Sequence, residues 1–245
     1  AGPTSNDFRV TWQDDRNGLF EVLGQRVSVD GVPLGENITL SEAGFYDDES
    51  PRIASGDKTV GLVYTKGVAG TQVVRFKSLE QTTLDEHAPI IDLSDGVSVA
   101  VYPTIVWNED RYVVAWYHAD GANKAVYATT VSEDGQIVNP PTALSSPGGW
   151  HSRDPAILPL GDRMLFVYAD NHQDPDLRFE LYSRMVDANL VPLGAEMRLT
   201  TAPQDSVEPI ATFGPEGNVG ILFRDDRNGE QHVWFTRLGC VVAAP

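Results

Sequence analysis

The sequence predicts an all-β protein, a five-bladed β-propeller whose blades are four-stranded antiparallel sheets. Three observations predict it. Short apolar runs recur at near-constant spacing, each is followed by turn residues and an alternating run, and no segment keeps a helical period. With 245 residues the chain is long enough to bury a sizeable core.

The runs "VTWQDD", "LVYTKG", "VAWYHAD", "LFVYADN" and "ILFRDD" align on Trp12, Val63, Trp116, Val167 and Phe223, at intervals of 51, 53, 51 and 56 residues. A period near fifty suits a propeller blade. Ahead of every anchor but the first stands an X-Pro with an apolar pair: "SPRIAS", "YPTIVW", "DPAILP" and "EPIATF". These are the expected first strands, and the anchors mark the second. The third strands are "LFEVLGQRV", "TQVVRF", "KAVYATTV", "FELYSRMV" and "HVWFTRL"; a turn and fourth strand follow in "VDGVPLGENITLS", "SEDGQIVNPPTALS" and "DANLVPLGAEMRLT". Each unit is rich in strand formers and punctuated by Gly, Pro, Asn and Asp. The expected organisation is a single domain with blades at approximately 1–48, 49–98, 99–150, 151–205 and 206–245. Too little chain precedes Trp12 for a full first strand, and no clear fourth strand follows "HVWFTRL". The two end blades are therefore expected to be short. Either the ring closes by improvised pairing or the sequence is part of a longer chain.

The pentapeptide "DDRNG" occurs twice, at 14–18 and 225–229. Two copies at equivalent places read as a turn between second and third strands rather than a duplicated active site. Asn-Gly suits a tight hairpin with positive φ at both residues, and Arg pairs with an adjacent carboxylate.

Composition narrows the function. A net charge of −17 argues against nucleic acid, whose phosphates need Lys and Arg. It leaves cations, basic proteins and neutral sugars as partners. The longest apolar runs, such as "YVVAWY", are too short for a membrane-spanning helix. No basic n-region and apolar h-region opens the sequence, so a signal peptide is expected to be absent or already removed. Cys240 is the single cysteine; it excludes an intrachain disulfide and a thiolate cluster and leaves the compartment undecided.

In an up-and-down blade the loop before strand one and the turn after strand two share a face. That face collects Phe45, Tyr46, Trp150, His151, Asp154 and Glu208, the expected ligand-binding set. Rings that stack on a pyranose, with carboxylates that accept its hydroxyls, suit a glycan; the acidity equally suits a basic protein. "DNHQDPD" places Asp170, Asp174 and Asp176 close enough to admit Ca²⁺, although the order is not that of an EF-hand. No other cofactor is expected. His87, His118, His151, His172 and His232 lack metal-ligand spacing.

Two resemblances follow from these residues. "WQDDRNGLFEVLGQRVSVDGVPLG" resembles a repeat of secreted bacterial surface proteins, which implies the propeller fold and an extracellular or cell-surface location. "SRDPAI" resembles the Arg-Asp-Pro motif of five-bladed fructoside-cleaving glycoside hydrolases. That resemblance implies Asp154, and Glu208 one blade later, as paired catalytic carboxylates in a set of two Asp and one Glu. The nucleophile motif Asn-Asp-Pro-Asn-Gly is missing: Ser50 and Tyr102 stand at the equivalent places, and the nearest third carboxylates are Asp7 and the run Asp47, Asp48, Glu49. The expectation is therefore a non-catalytic binding or scaffold module for a glycan or protein ligand. In it no carboxylate triad assembles, and Asp154→Asn leaves function largely intact. The glycoside hydrolase is the alternative.

Overall fold

The computed structural model describes residues 7–42, 44–68, 70–121, 123–146, 151–173, 176–214 and 217–239. Among them there is no α-helix, and eighteen strands form five antiparallel sheets. Blade 1 is β1 (Asp7–Asp14), β2 (Glu21–Ser28) and β3 (Pro33–Thr39). Blade 2 is β4 (Asp47–Ser55), β5 (Thr59–Gly67), β6 (Val73–Glu80) and β7 (Glu86–Asp92). Blade 3 is β8 (Val99–Asn108), β9 (Arg111–Asp120), β10 (Asn123–Val131) and β11 (Ile137–Ala143). Blade 4 is β12 (Ser152–Pro159), β13 (Arg163–Asp170), β14 (Glu180–Asp187) and β15 (Met197–Arg198). Blade 5 is β16 (Ser206–Phe213), β17 (Val219–Asp225) and β18 (His232–Leu238). Among the described residues no helix is long and apolar enough to cross a membrane.

The end blades are short in complementary ways. Trp12 lies on β1, which holds the place of a second strand, so among the described residues blade 1 has strands two to four and blade 5 has strands one to three.

The second strands are the hydrophobic ribs. β5, β9 and β13 are buried on both faces for most of their length, and read as continuous apolar runs for that reason. The outer strands β3 and β11 are mostly exposed. In four blades the chain returns to the third strand through a Leu-Ser or Leu-Thr pair. The third-strand amides of Val22, Val74, Val126 and Leu181 donate to the hydroxyls of Ser41, Ser94, Ser145 and Thr200, at 2.8–3.1 Å.

One local device shapes the centre of the molecule. The first strands β4, β8, β12 and β16 each slip register, between Glu49 and Arg52, Val101 and Thr104, Arg153 and Ala156, and Val207 and Ile210. The two inserted residues are always X-Pro, and X is always left-handed: Ser50, Tyr102, Asp154 and Glu208 all have φ of 54°. Proline leaves its own position without an N–H, which a bulge tolerates. Two residues on the first strand thus oppose one on the second, as in a β-bulge. The opposed residue is aromatic each time: Tyr64, Trp116, Tyr168 and Phe223. Trp12 is the fifth in this series.

This corrects the repeat alignment. The anchors do lie on second strands, but Val63 and Val167 are one residue out of step with Trp12, Trp116 and Phe223. The equivalent residues are Tyr64 and Tyr168, which makes the intervals 52, 52, 52 and 55. A one-residue slip changes the face. Tyr64 packs toward blade 1 with Val22 and Leu40, whereas Val63 packs toward blade 3 with Tyr112 and Trp116.

Four buried clusters join the five blades in order. At the fifth seam the faces are open among the described residues. Ile210, Leu222 and Phe235 form one exposed cross-strand row on blade 5, and Phe8 and Val10 are exposed on β1. Trp12 on the same strand is only half-buried.

The turn also differs from expectation. Gly18 has φ of 101° and its amide donates to the Asp15 carbonyl at 2.8 Å, and Gly229 repeats this on Asp226 at 2.7 Å. Asn17 and Asn228 do not have positive φ. The glycine is therefore the fourth residue of the turn, where a left-handed residue follows three of ordinary φ. The Arg16 and Arg227 amides and guanidinium groups fold back on Asp14 and Asp225.

Candidate functional site

The bulges of blades 3, 4 and 5, with Arg52 of blade 2, line a central cavity of about 740 Å³. One tier of its lining is formed by the bulge residues Tyr102, Asp154 and Glu208. Two residues further along the same strands, Arg52, Thr104, Ala156 and Ile210 form a second tier, roughly 6–7 Å further along the channel. Arg153 lines the cavity between them. The left-handed position X recurs in four blades, and in three of them its residue, Tyr102, Asp154 or Glu208, lines the cavity.

Asp154 and Glu208 share that cavity but not the same environment. The Asp154 side chain is 19% exposed, and Arg153 Nε lies 3.4 Å from its Oδ2. Burial pushes its pKa up, and the nearby Glu208 charge adds to that; Arg153 and the Glu208 amide, which donates to the carboxylate, oppose it without cancelling it. The Arg153 guanidinium lies 4.3 Å from the centre of the Phe179 ring, a cation–π contact that holds it against the cavity wall. Glu208 is 58% exposed and meets Arg224 at 3.0 Å. A largely buried carboxyl group and a solvated, paired one thus stand on the first strands of neighbouring blades. This is the arrangement that separates the roles of two carboxyl groups in acid and base chemistry.

The structure brings together two of the six expected ligand-binding residues, Asp154 and Glu208. Phe45 is 93% exposed and does not line the cavity, and Tyr46 lines a separate small pocket with Asn17, Phe20 and Asp48. His151 lies off the cavity, its Nε2 2.8 Å from Lys124 Nζ and its amide donating to Asn171; burial, then Lys124, lowers its pKa. Trp150 lies outside the described residues. Of the expected Ca²⁺ ligands, the two described ones are engaged with other partners. Asp170 is fully buried and its oxygens accept from Ser152, the His172 amide and the His172 ring; Asp176 pairs with Arg178 at 3.0 Å; Asp174 lies outside the described residues. Among the described residues no group of three His, Cys, Asp or Glu is arranged to hold a metal ion. Cys240 also lies outside them.

Among the described residues the lining contains no third carboxylate. Asp7 is buried against Arg26, Asp47 accepts the Phe20 amide, and Asp48 is buried beside Lys66. Sequence reasoning missed Arg52 and Arg153 as site residues and passed over Tyr102. The available signal was the X-Pro repeat: every residue at X, and every residue two beyond it, was a candidate for the cavity.

No family model matches the chain, and no curated protein does. Solved structures share its fold. An α-L-arabinanase of Penicillium chrysogenum, in complex with arabinobiose, is similar over 98% of this chain and 79% of its own, with a TM-score of 0.62 at 14% identity. An endo-arabinase of Bacteroides thetaiotaomicron matches over 97% and 96%, with a TM-score of 0.57 at 10% identity. A GH43 endo-arabinanase of Bacillus licheniformis matches over 96% and 91%, with a TM-score of 0.55 at 11% identity. The likeness establishes the five-bladed propeller. It also runs against the expected non-catalytic module, because the similar structures are those of glycan-cleaving enzymes.

Proposed function

We propose that this protein is a glycoside hydrolase that cleaves a glycan of the arabinan type in its central cavity, with Asp154 and Glu208 as the paired carboxylates. The observation that carries this reading is their placement: the same left-handed bulge position in adjacent blades, facing one cavity, with one carboxyl group buried and the other solvated. Glycosidic cleavage needs one carboxyl group to protonate the leaving oxygen and another to act as base or nucleophile. Asp154, whose pKa burial raises, is suited to hold the proton. Glu208, open to solvent beside Arg224, takes the part of the carboxylate. The shared fold of the arabinanases supports the substrate class. An extracytoplasmic, bacterial location, which the repeat resemblance implies, accords with a polymeric substrate.

The test is release of reducing sugar from linear arabinan and from arabino-oligosaccharides by the purified chain, with the anomer of the first product followed by NMR. Turnover that Glu208→Gln and Asp154→Asn each abolish supports the reading. Absence of turnover across arabinan, xylan and fructan substrates by a folded protein would overturn it.

A further inference from the structure

We propose that Arg52 recognises a carboxylate on the sugar held in the second tier of the cavity, so that the preferred substrate carries a uronic acid. This rests on the reading of the cavity as a glycan site, and it names a feature of the glycan.

Asp154 has Arg153 at 3.4 Å, and Glu208 has Arg224 at 3.0 Å. Arg52 is the remaining charged residue of the lining, and among the described residues no carboxylate lies within ion-pair distance of it. Its only hydrogen bond there runs from Nη1 to its neighbour's carbonyl, Pro51 O, at 2.9 Å. A guanidinium has five donors in a planar fork that matches a carboxylate, so most of its capacity is unspent. The surrounding chain carries a net charge of −17. That overall field disfavours anions at long range, so recognition of a carboxylate here rests on the short-range charge and planar fork of Arg52.

Position makes the inference specific. Arg52 occupies the place held by Thr104, Ala156 and Ile210 in the other blades, so three of the four second-tier residues are uncharged and two are apolar. A sugar whose linkage lies between Asp154 and Glu208 reaches this tier with the part of its ring remote from the bond that breaks. An exocyclic carboxylate there meets Arg52 on one side and apolar surface on the other. Tyr102, exposed in the lining between Arg52 and Asp154 in blade order, presents its ring to the sugar face.

The experiment is calorimetric titration of the full chain with a disaccharide ending in glucuronate, its neutral glucose counterpart and inorganic sulfate, at low and high salt. The expected result is binding of the uronate about tenfold or more tighter than the neutral sugar at low salt, with a preference that shrinks as salt rises. In Arg52→Gln the preference falls to near one, and Arg52→Lys restores part of it. Thermal melting of both variants establishes that they are folded. Equal affinity for the two sugars in the wild-type chain, a preference that survives Arg52→Gln, or sulfate binding as tight as uronate would each overturn the proposal. Because binding is read without turnover, a protein that prefers uronate through Arg52 yet cleaves nothing would sink the hydrolase reading alone. Cleavage of neutral arabinan with no uronate preference would sink this proposal alone.

Discussion

Asp154 and Glu208 occupy one and the same backbone position in neighbouring blades: each has φ of 54°, each precedes a proline, and each stands opposite an aromatic ring, Tyr168 or Phe223. Their carboxyl groups meet at the cavity because the fold repeats.

If this pair performs the chemistry, Asp154→Asn and Glu208→Gln should each lower kcat by about 10²- to 10⁴-fold, the usual contribution of a positioned acid or base. The effects should not multiply in the double variant, since both groups serve one step. Initial rates on arabino-oligosaccharides check this, and a single variant with wild-type kcat would remove that residue from the mechanism.

Asp154 also ties stability to pH. Its folded-state pKa lies above the ordinary carboxylate value because burial disfavours the charge. The folded state therefore binds the proton more tightly than the unfolded chain does. That contribution is fully present below the unfolded pKa and is lost as pH rises through the folded one. Asn keeps the shape and stays neutral, so Asp154→Asn should match the wild type in acid and exceed it in Tm at neutral pH. Melting curves from pH 4 to 8 decide this; a variant that is less stable at neutral pH would contradict the assignment of burial as the cause.

The two DDRNG turns should respond unequally. Asp225 is fully buried and also accepts from Ser206 at 2.8 Å, whereas Asp14 is partly exposed and its partner Arg16 is largely in solvent. Asp225→Ala should cost about 1–3 kcal/mol, because it strands buried donors, and Asp14→Ala should cost less. Burial pushes the Asp225 pKa up, but Arg227 and Ser206 outweigh it and hold the value low. Its contribution is present above the unfolded pKa and disappears as pH falls through the folded one. Urea titrations of both variants at pH 7 and pH 3 test the order; equal losses at pH 7 would refute it.

Ser50 holds the left-handed bulge position in blade 2 without lining the cavity. A residue with a Cβ loses roughly 1–2 kcal/mol there, while glycine loses about 0.5–1 kcal/mol of unfolded-chain entropy. Ser50→Gly should therefore stabilise by about 0.5–1 kcal/mol. The Ser50 amide still donates to Gln13 Oε1 at 2.8 Å. Equilibrium unfolding measures the gain, and a destabilised variant would show that the hydroxyl matters.

The propeller was legible because its ribs repeat, and so were the two carboxylates, which the X-Pro motif marks. The phase of the repeat was not. In "LVYTKG" and "LFVYADN" both Val and Tyr are apolar, because β5 and β13 are covered on both faces, and alternation is absent where a register would have to be read. Arg52 was hidden for another reason. As part of "SPRIAS" it reads as one polar residue on a strand, and only the bulge, an extra residue that no period of two anticipates, turns it into the channel. Phe45 was misleading in the opposite sense: an aromatic in a loop on the correct face is exposed without being near the cavity.

The open seam changes how the molecule behaves as a material. Among the described residues four cores couple five blades, so blades 2, 3 and 4 each lean on two neighbours, while blades 1 and 5 each lean on one. Such a stack frays from its ends inward. Amide exchange should then be slowest on β9 and β13 and fastest on β1 and β18. Glu208 belongs to an end blade and Asp154 to an inner one. A ligand that touches both carboxyl groups therefore acts as a rivet, fastening the most easily detached blade to the rest.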